Sequence, residues 1–75
     1  MAYINAYELP TSVKGVLPVH AQMIYMNAFN NAWNEYKQPK DRRGNTGREE
    51  VSHRVAWSAV KKSYEKGNDG KWHAM

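Results

Sequence analysis

Apolar residues return at gaps of three and one along two stretches of this chain, Leu17 to Tyr36 and Arg48 to Tyr64, and nearly all of its apolar mass lies in them. That spacing is the signature of an amphipathic helix with a broad apolar stripe. In the first stretch the stripe is Ala21, Ile24, Tyr25, Ala28, Phe29, Ala32, Trp33 and Tyr36, with Asn27, Asn30, Asn31, Asn34 and Glu35 lying off it. Met23 and Met26 flank it, as gap fillers or partly exposed residues. In the second stretch Val51 starts a stripe of His53, Ala56, Trp57, Val60 and Tyr64, widened by Val55 and Ala59. Two helices of this kind bury their stripes against each other, and the alanines let them approach closely.

The boundaries come from proline, glycine and a cap. Pro10 and Pro18 each follow a leucine, and proline is favoured at the start of a helix because its missing N–H would be unpaired there. The first helix is short, about 10–15, weakened by Gly15 and ended by the restriction that Pro18 places on Leu17. The second runs about 18–37. Lys37 to Asn45, with Pro39 and Gly44, reads as an exposed connection. Thr46 with Glu49 matches a capping box, and Glu49 and Glu50 suit the positive end of a helix dipole, so the third helix spans about 46–66 and ends at Gly67. Ala2 to Tyr7 and Lys71 to Met75 are too short for stable helices. Tyr3, Ile4, Tyr7 and Trp72 are expected to pack together there, through a short two-stranded pairing of the termini or by docking on the helices. The expectation is a mainly α protein: one domain over 1–75, a compact three-helix body with a small irregular or two-stranded terminal sub-domain.

With 75 residues the chain has room for one core only. Three Trp, five Tyr and one Phe supply the bulk of it, each ring burying roughly 150–250 Å². The absence of cysteine removes disulfides and thiolate metal sites as supports and fits a reducing, cytoplasmic compartment. The apolar runs are short and interrupted, and the first twenty residues lack a signal-peptide layout, so neither membrane insertion nor export is expected. A formal charge of +4 and a pI near 9.5 suit an anionic partner such as nucleic acid or a lipid surface.

The chemistry-bearing residues exclude more than they suggest. His20, His53 and His73 share no metal-ligand spacing and have no carboxylate pair to complete a site, so they read as hydrogen-bonded structural histidines, and no metal or cofactor is expected. His53 with Glu49 or Glu50 lacks a placed nucleophile, which argues against an enzyme. Lys37, Lys40, Arg42, Arg43 and Arg48 form the sharper candidate, a cationic segment opposed only by Asp41. It either contacts phosphates or an acidic partner, or pairs locally with Glu35, Glu49 and Glu50. Trp33 and Trp57 lie within the stripes and read as core. Trp72, beside Lys71 and His73, either packs over the helices or stands as a stacking platform, which adds Lys71 and Trp72 to the candidate binding patch.

Taken together, Leu9-Pro10, Val16-Leu17-Pro18, His20-Ala21-Gln22, Ala28-Phe29-Asn30, Ala32-Trp33, Asp41-Arg42-Arg43, Arg48-Glu49-Glu50, Val55-Ala56-Trp57 and Lys71-Trp72-His73 resemble the ChaB family over nearly the whole chain. The resemblance implies a compact helical protein and a regulator of cation transport, associated with a sodium or calcium/proton antiporter or a transporter-associated protein. It implies no catalytic residues. Some viral relatives have been considered nucleic-acid binding, so a nucleic-acid-binding protein using the basic interhelical segment is the alternative. Here Gly44 to Gly47 is richer in glycine, and less acidic, than the family pattern.

Overall fold

The computed structural model of the chain describes residues 3–38 and 47–75. Its helices are α1 (Thr11–Lys14), α2 (Val19–Glu35) and α3 (Arg48–Lys61), preceded by a 3₁₀ turn at Ala6–Glu8. Two short strands follow, β1 (Tyr64–Lys66) and β2 (Trp72–Ala74), paired antiparallel with Tyr64 opposite Ala74 and Lys66 opposite Trp72. The three expected helices and a small two-stranded element are therefore present. No described helix is long and apolar enough to cross a membrane.

α2 and α3 pack against each other and make the body of the domain. Ala21, Tyr25, Met26, Phe29 and Ala32 are buried on α2, Ala56 and Val60 on α3, and Leu9, Val13 and Leu17 close the core from the N-terminal side. The face that α3 turns inward is Ser52, Ala56 and Val60, three residues at four-residue spacing whose small or branched side chains permit close approach. Ser52 is fully buried, and its hydroxyl is satisfied by donating to the Arg48 carbonyl at 2.8 Å. The stripe is thus rotated from the expected one: His53 is exposed and Trp57 half-buried. Met26 is a buried gap filler, whereas Met23 is exposed.

Both helix-opening prolines act one position earlier than expected. Pro10 and Pro18 are N-caps, in extended backbone, rather than first helical residues. Gly47 takes the cap of α3 without a side-chain hydrogen bond, while Thr46 lies outside the described residues, as do Lys40, Arg42 and Arg43.

The larger correction is at the end of α3. The helix stops at Lys61, not near residue 66, and tightens as it stops, with the Lys62 and Ser63 N–H groups donating to the Ala59 and Val60 carbonyls. Tyr64, four residues after Val60, fits a continuing helical stripe, yet it is the first residue of β1. Its buried hydroxyl finds His20 Nδ1 at 2.9 Å on α2, a partner that the hairpin geometry reaches. Gly67 consequently sits in the hairpin turn instead of capping a helix. A Cβ on it would meet the His73 ring at 2.7 Å, and Gly70 adopts φ of 82°, where only glycine is unstrained.

Among the described residues the termini do not pair with each other. Both strands come from the C-terminal end, and the N-terminal arm docks separately. The Asn30 side-chain amide acts as a surrogate strand partner for Tyr3: its Oδ1 accepts from the Tyr3 N–H at 2.8 Å, and its Nδ2 donates to the Tyr3 carbonyl at 2.6 Å. The Tyr3 ring rests on Phe29 with centroids 4.8 Å apart. Ile4 and Tyr7 are left 86% and 88% exposed, against the expectation that they pack with Tyr3 and Trp72. The turn that follows is fixed locally by Asn5, whose side chain accepts from the Tyr7 N–H, so it does not need those side chains in the core.

Candidate functional site

Of the residues singled out in the sequence, those among the described residues fall into two places. Lys37 follows α2 and is exposed, and Arg48 opens α3 beside the same end of α2. Lys71 and Trp72 lie at the other end: the Trp72 N–H donates at 2.9 Å to the carbonyl of Val16, which precedes α2. Since α2 has 17 residues, the two groups are separated by its length, about 25 Å. They do not form one patch.

Arg48 is occupied by its own fold. Its guanidinium lies 4.0 Å from the centroid of the Trp33 ring, and its Nε donates to the Trp33 carbonyl at 2.7 Å, one of the carbonyls left open at the end of α2. This clamps the end of α2 to the start of α3. Trp33 in turn stacks on Phe29 at 6.0 Å.

At the other end, Trp72 is half-buried and leans on Trp57, with ring centroids 5.2 Å apart. It separates two shallow clefts. One, of about 330 Å³, is lined by Trp57, Trp72, Val16, Ser12, Lys61 and Lys66. The other, of about 310 Å³, runs along the Gly15–Pro18 segment with Lys71, Trp72 and His73. Both indoles therefore offer partial faces, and Lys61, Lys66 and Lys71 are exposed around them. Flat aromatic surface rimmed by flexible cations is chemically suited to an anionic or acidic partner: the rings supply contact area at low entropic cost, and the ammonium groups supply attraction.

The hairpin holds Trp72 and Lys71 in place. The Lys71 N–H donates to Asp69 Oδ1 at 3.0 Å, and Asp69 also contacts His73 Nε2 at 3.1 Å. The backbone N–H of Lys71, followed by His73, holds the Asp69 carboxyl below its ordinary value. Lys61 and Lys66 escaped sequence reasoning. Lys61 is four residues after Trp57 and could have been placed beside it, but Lys66 joins them only through the hairpin, which has no periodic signal.

Two histidines serve as partners for buried phenols. His20 meets Tyr64, and His53 Nδ1 lies 2.5 Å from the Tyr25 hydroxyl. Burial, with smaller contributions from Tyr3 and Glu49, raises the Tyr25 pKa well above its ordinary value, so the phenol stays protonated. Among the described residues, no group of three or more His, Asp or Glu side chains converges as a metal site would require.

Comparison with known proteins places this geometry in context. Residues 9–75 match the family model described as ChaB. The chain is 58% identical over 73 residues to "Putative cation transport regulator ChaB" of Escherichia coli strain K12, covering 97% of this chain and 96% of that protein. The same figures hold for the proteins of that name in Escherichia coli O157:H7 and Shigella flexneri. A solved structure, "NMR solution structure of the putative cation transport regulator ChaB", superposes with a TM-score of 0.83 at 56% identity and covers 97% of both chains.

Proposed function

The chain belongs to the ChaB family, and from that premise we propose that it regulates cation transport by binding, without catalysis, to a transporter or a transporter-associated protein in the cytoplasm. The observation that carries this reading is the 58% identity, over nearly the full length, to proteins named as regulators of cation transport. The contact surface in this proposal is the Trp72 face, with Lys61, Lys66 and Lys71 meeting acidic groups of the partner while Trp57 and Trp72 supply the buried contact. Lys37, Lys40, Arg42 and Arg43 form a second cationic segment, with Arg48 at its edge. A small protein whose charge is concentrated in such rims associates quickly and in a salt-dependent way.

The test is charge reversal at the Trp72 rim, Lys61→Glu, Lys66→Glu and Lys71→Glu together, in a strain lacking the wild-type gene, scored by growth against added sodium and calcium at alkaline pH. These lysines are exposed, so the variant is expected to fold, which circular dichroism checks. The expected result is the ion tolerance of the null strain. Wild-type tolerance with a folded triple variant counts against the reading. In parallel, a labelled DNA duplex is titrated at low and physiological salt. Tight binding that falls steeply with salt would replace the protein partner with a nucleic acid.

A further inference from the structure

A larger cleft lies at the opposite end of α3 from the lysines and carries the opposite charge. It has a volume of about 590 Å³ and opens between the N-terminal arm and the first turns of α3. Tyr3, Tyr25 and Phe29 supply aromatic surface, His53 adds an exposed imidazole, and the carboxylates of Glu49 and Glu50 stand at the rim. The field of Glu49 reaches the aromatic wall, since it contributes to raising the pKa of both Tyr3 and Tyr25, behind burial in each case. We propose that this cleft receives an arginine side chain from a protein partner, with the guanidinium over the Tyr3 ring and paired with the Glu49 and Glu50 carboxylates.

Three features select that occupant. Aromatic faces beside carboxylates attract a cation that is weakly hydrated and flat, which describes guanidinium better than ammonium. A carboxylate also accepts two parallel N–H donors from one guanidinium, giving an orientation that a point charge lacks. A hydrated divalent ion has no such fit, because the wall facing Glu49 is made of rings rather than oxygen ligands. The same chain already uses this chemistry internally, where Arg48 lies over Trp33. Glu50 has an exposed partner in Arg54 at 3.1 Å, a surface pair that a better-placed guanidinium can displace at little cost. Because the whole chain carries a net charge of +4, a basic peptide is repelled in general, so its attraction to this end would be specific. The inference is independent of the Trp72 face and of the identity of the transport system.

The experiment uses the full chain, uniformly ¹⁵N-labelled, at low salt. It is titrated with the peptide acetyl-Gly-Arg-Gly-Arg-Gly-amide and with the same peptide carrying citrulline, which keeps the shape and loses the charge. The expected result is movement of the Tyr3, Glu49, Glu50 and His53 amide signals with the arginine peptide only. Glu49→Gln with Glu50→Gln should weaken it about tenfold or more, while Lys62→Ser, an exposed residue at the far end of α3, should not. Tyr3→Ala, on the terminal arm, should weaken it without unfolding the helix pair. Equal response to both peptides, or an unchanged affinity in the double glutamine variant, overturns the proposal. Binding that emerges only after Arg42→Ser and Arg43→Ser also overturns it, since the chain's own segment would then be the occupant.

Discussion

Where α2 meets α3, Tyr25, Phe29, Ala56 and Val60 are each at most 1% exposed, whereas the hairpin that follows buries only Tyr64 and leaves Glu65, Lys66, His73 and Ala74 in water. The helix pair is held by exclusion of water from large rings against small residues, a non-directional force that grows with area. The hairpin is held by a handful of directed bonds: Tyr64 to His20, the Trp72 N–H to Val16, the Met75 N–H to Ser63, and Asp69 within the turn. The hairpin leans on the helix pair. A two-stranded ribbon this short has no independent stability. The surface proposed for partner contact thus straddles the two regions, with Trp57 and Lys61 on α3 and Lys66, Lys71 and Trp72 on the weaker region.

The largest test of this contrast is Phe29→Ala. It empties the middle of the helix pair and should cost about 3–5 kcal/mol, read as a loss of the urea transition midpoint or of folding altogether. A cost below about 0.5 kcal/mol, the level of an ordinary surface change, would mean that the helices do not depend on that ring. A smaller effect is expected from Tyr64→Phe, which removes a buried hydroxyl from His20 and should cost about 1 kcal/mol. Its signature is regional: amide protection in residues 64–74 should drop while α2 and α3 keep theirs. Uniform loss across the chain would show that hairpin and helices unfold as one unit.

The smallest effect concerns Asp69. Its carboxyl is held below the ordinary value of 3.8, so the stabilisation it gives the turn is present above that pH and is lost as pH falls through the lowered native value. Acid titration should therefore release the Lys71 amide below pH 3.8 with little change in the helices. Asp69→Asn should abolish that step and leave the thermal midpoint near wild type. A hairpin that opens at higher pH would point to a different group.

The same contrast accounts for what could be read in the residues. The α2 stripe was legible because Tyr25, Phe29 and Ala32 bury through a period that is visible in one helix. The end of α3 was not, since Tyr64 satisfies both a helical spacing from Val60 and the hairpin position it takes. The partner of the Tyr64 hydroxyl, the His20 ring nitrogen on another helix, and the pairing with Ala74 separate the two. Ser52 was overlooked because a serine carries no apolar signal, although its size and back-bond to Arg48 suit a close helix contact. Asn30 lies off the apolar stripe and likewise carries no apolar signal, yet it is what docks the N-terminal arm. Of the candidate site, Trp72 and Lys71 were visible as an aromatic beside a cation, but their neighbours Lys61 and Lys66 were not, because a tertiary turn brings them there.

The bond from the Trp72 N–H to the Val16 carbonyl joins positions separated by most of the chain. Such a contact forms only after the intervening helices have shortened the path between its ends, because closing a long unstructured loop for one hydrogen bond is entropically unfavourable. Docking of the hairpin on the helices is therefore expected late on the folding route and its release early on the way out. Changes within it are expected to alter the unfolding rate far more than the folding rate. Selection acting on the Trp72 surface can alter how long the native state lasts while leaving the speed with which the chain finds its fold nearly untouched.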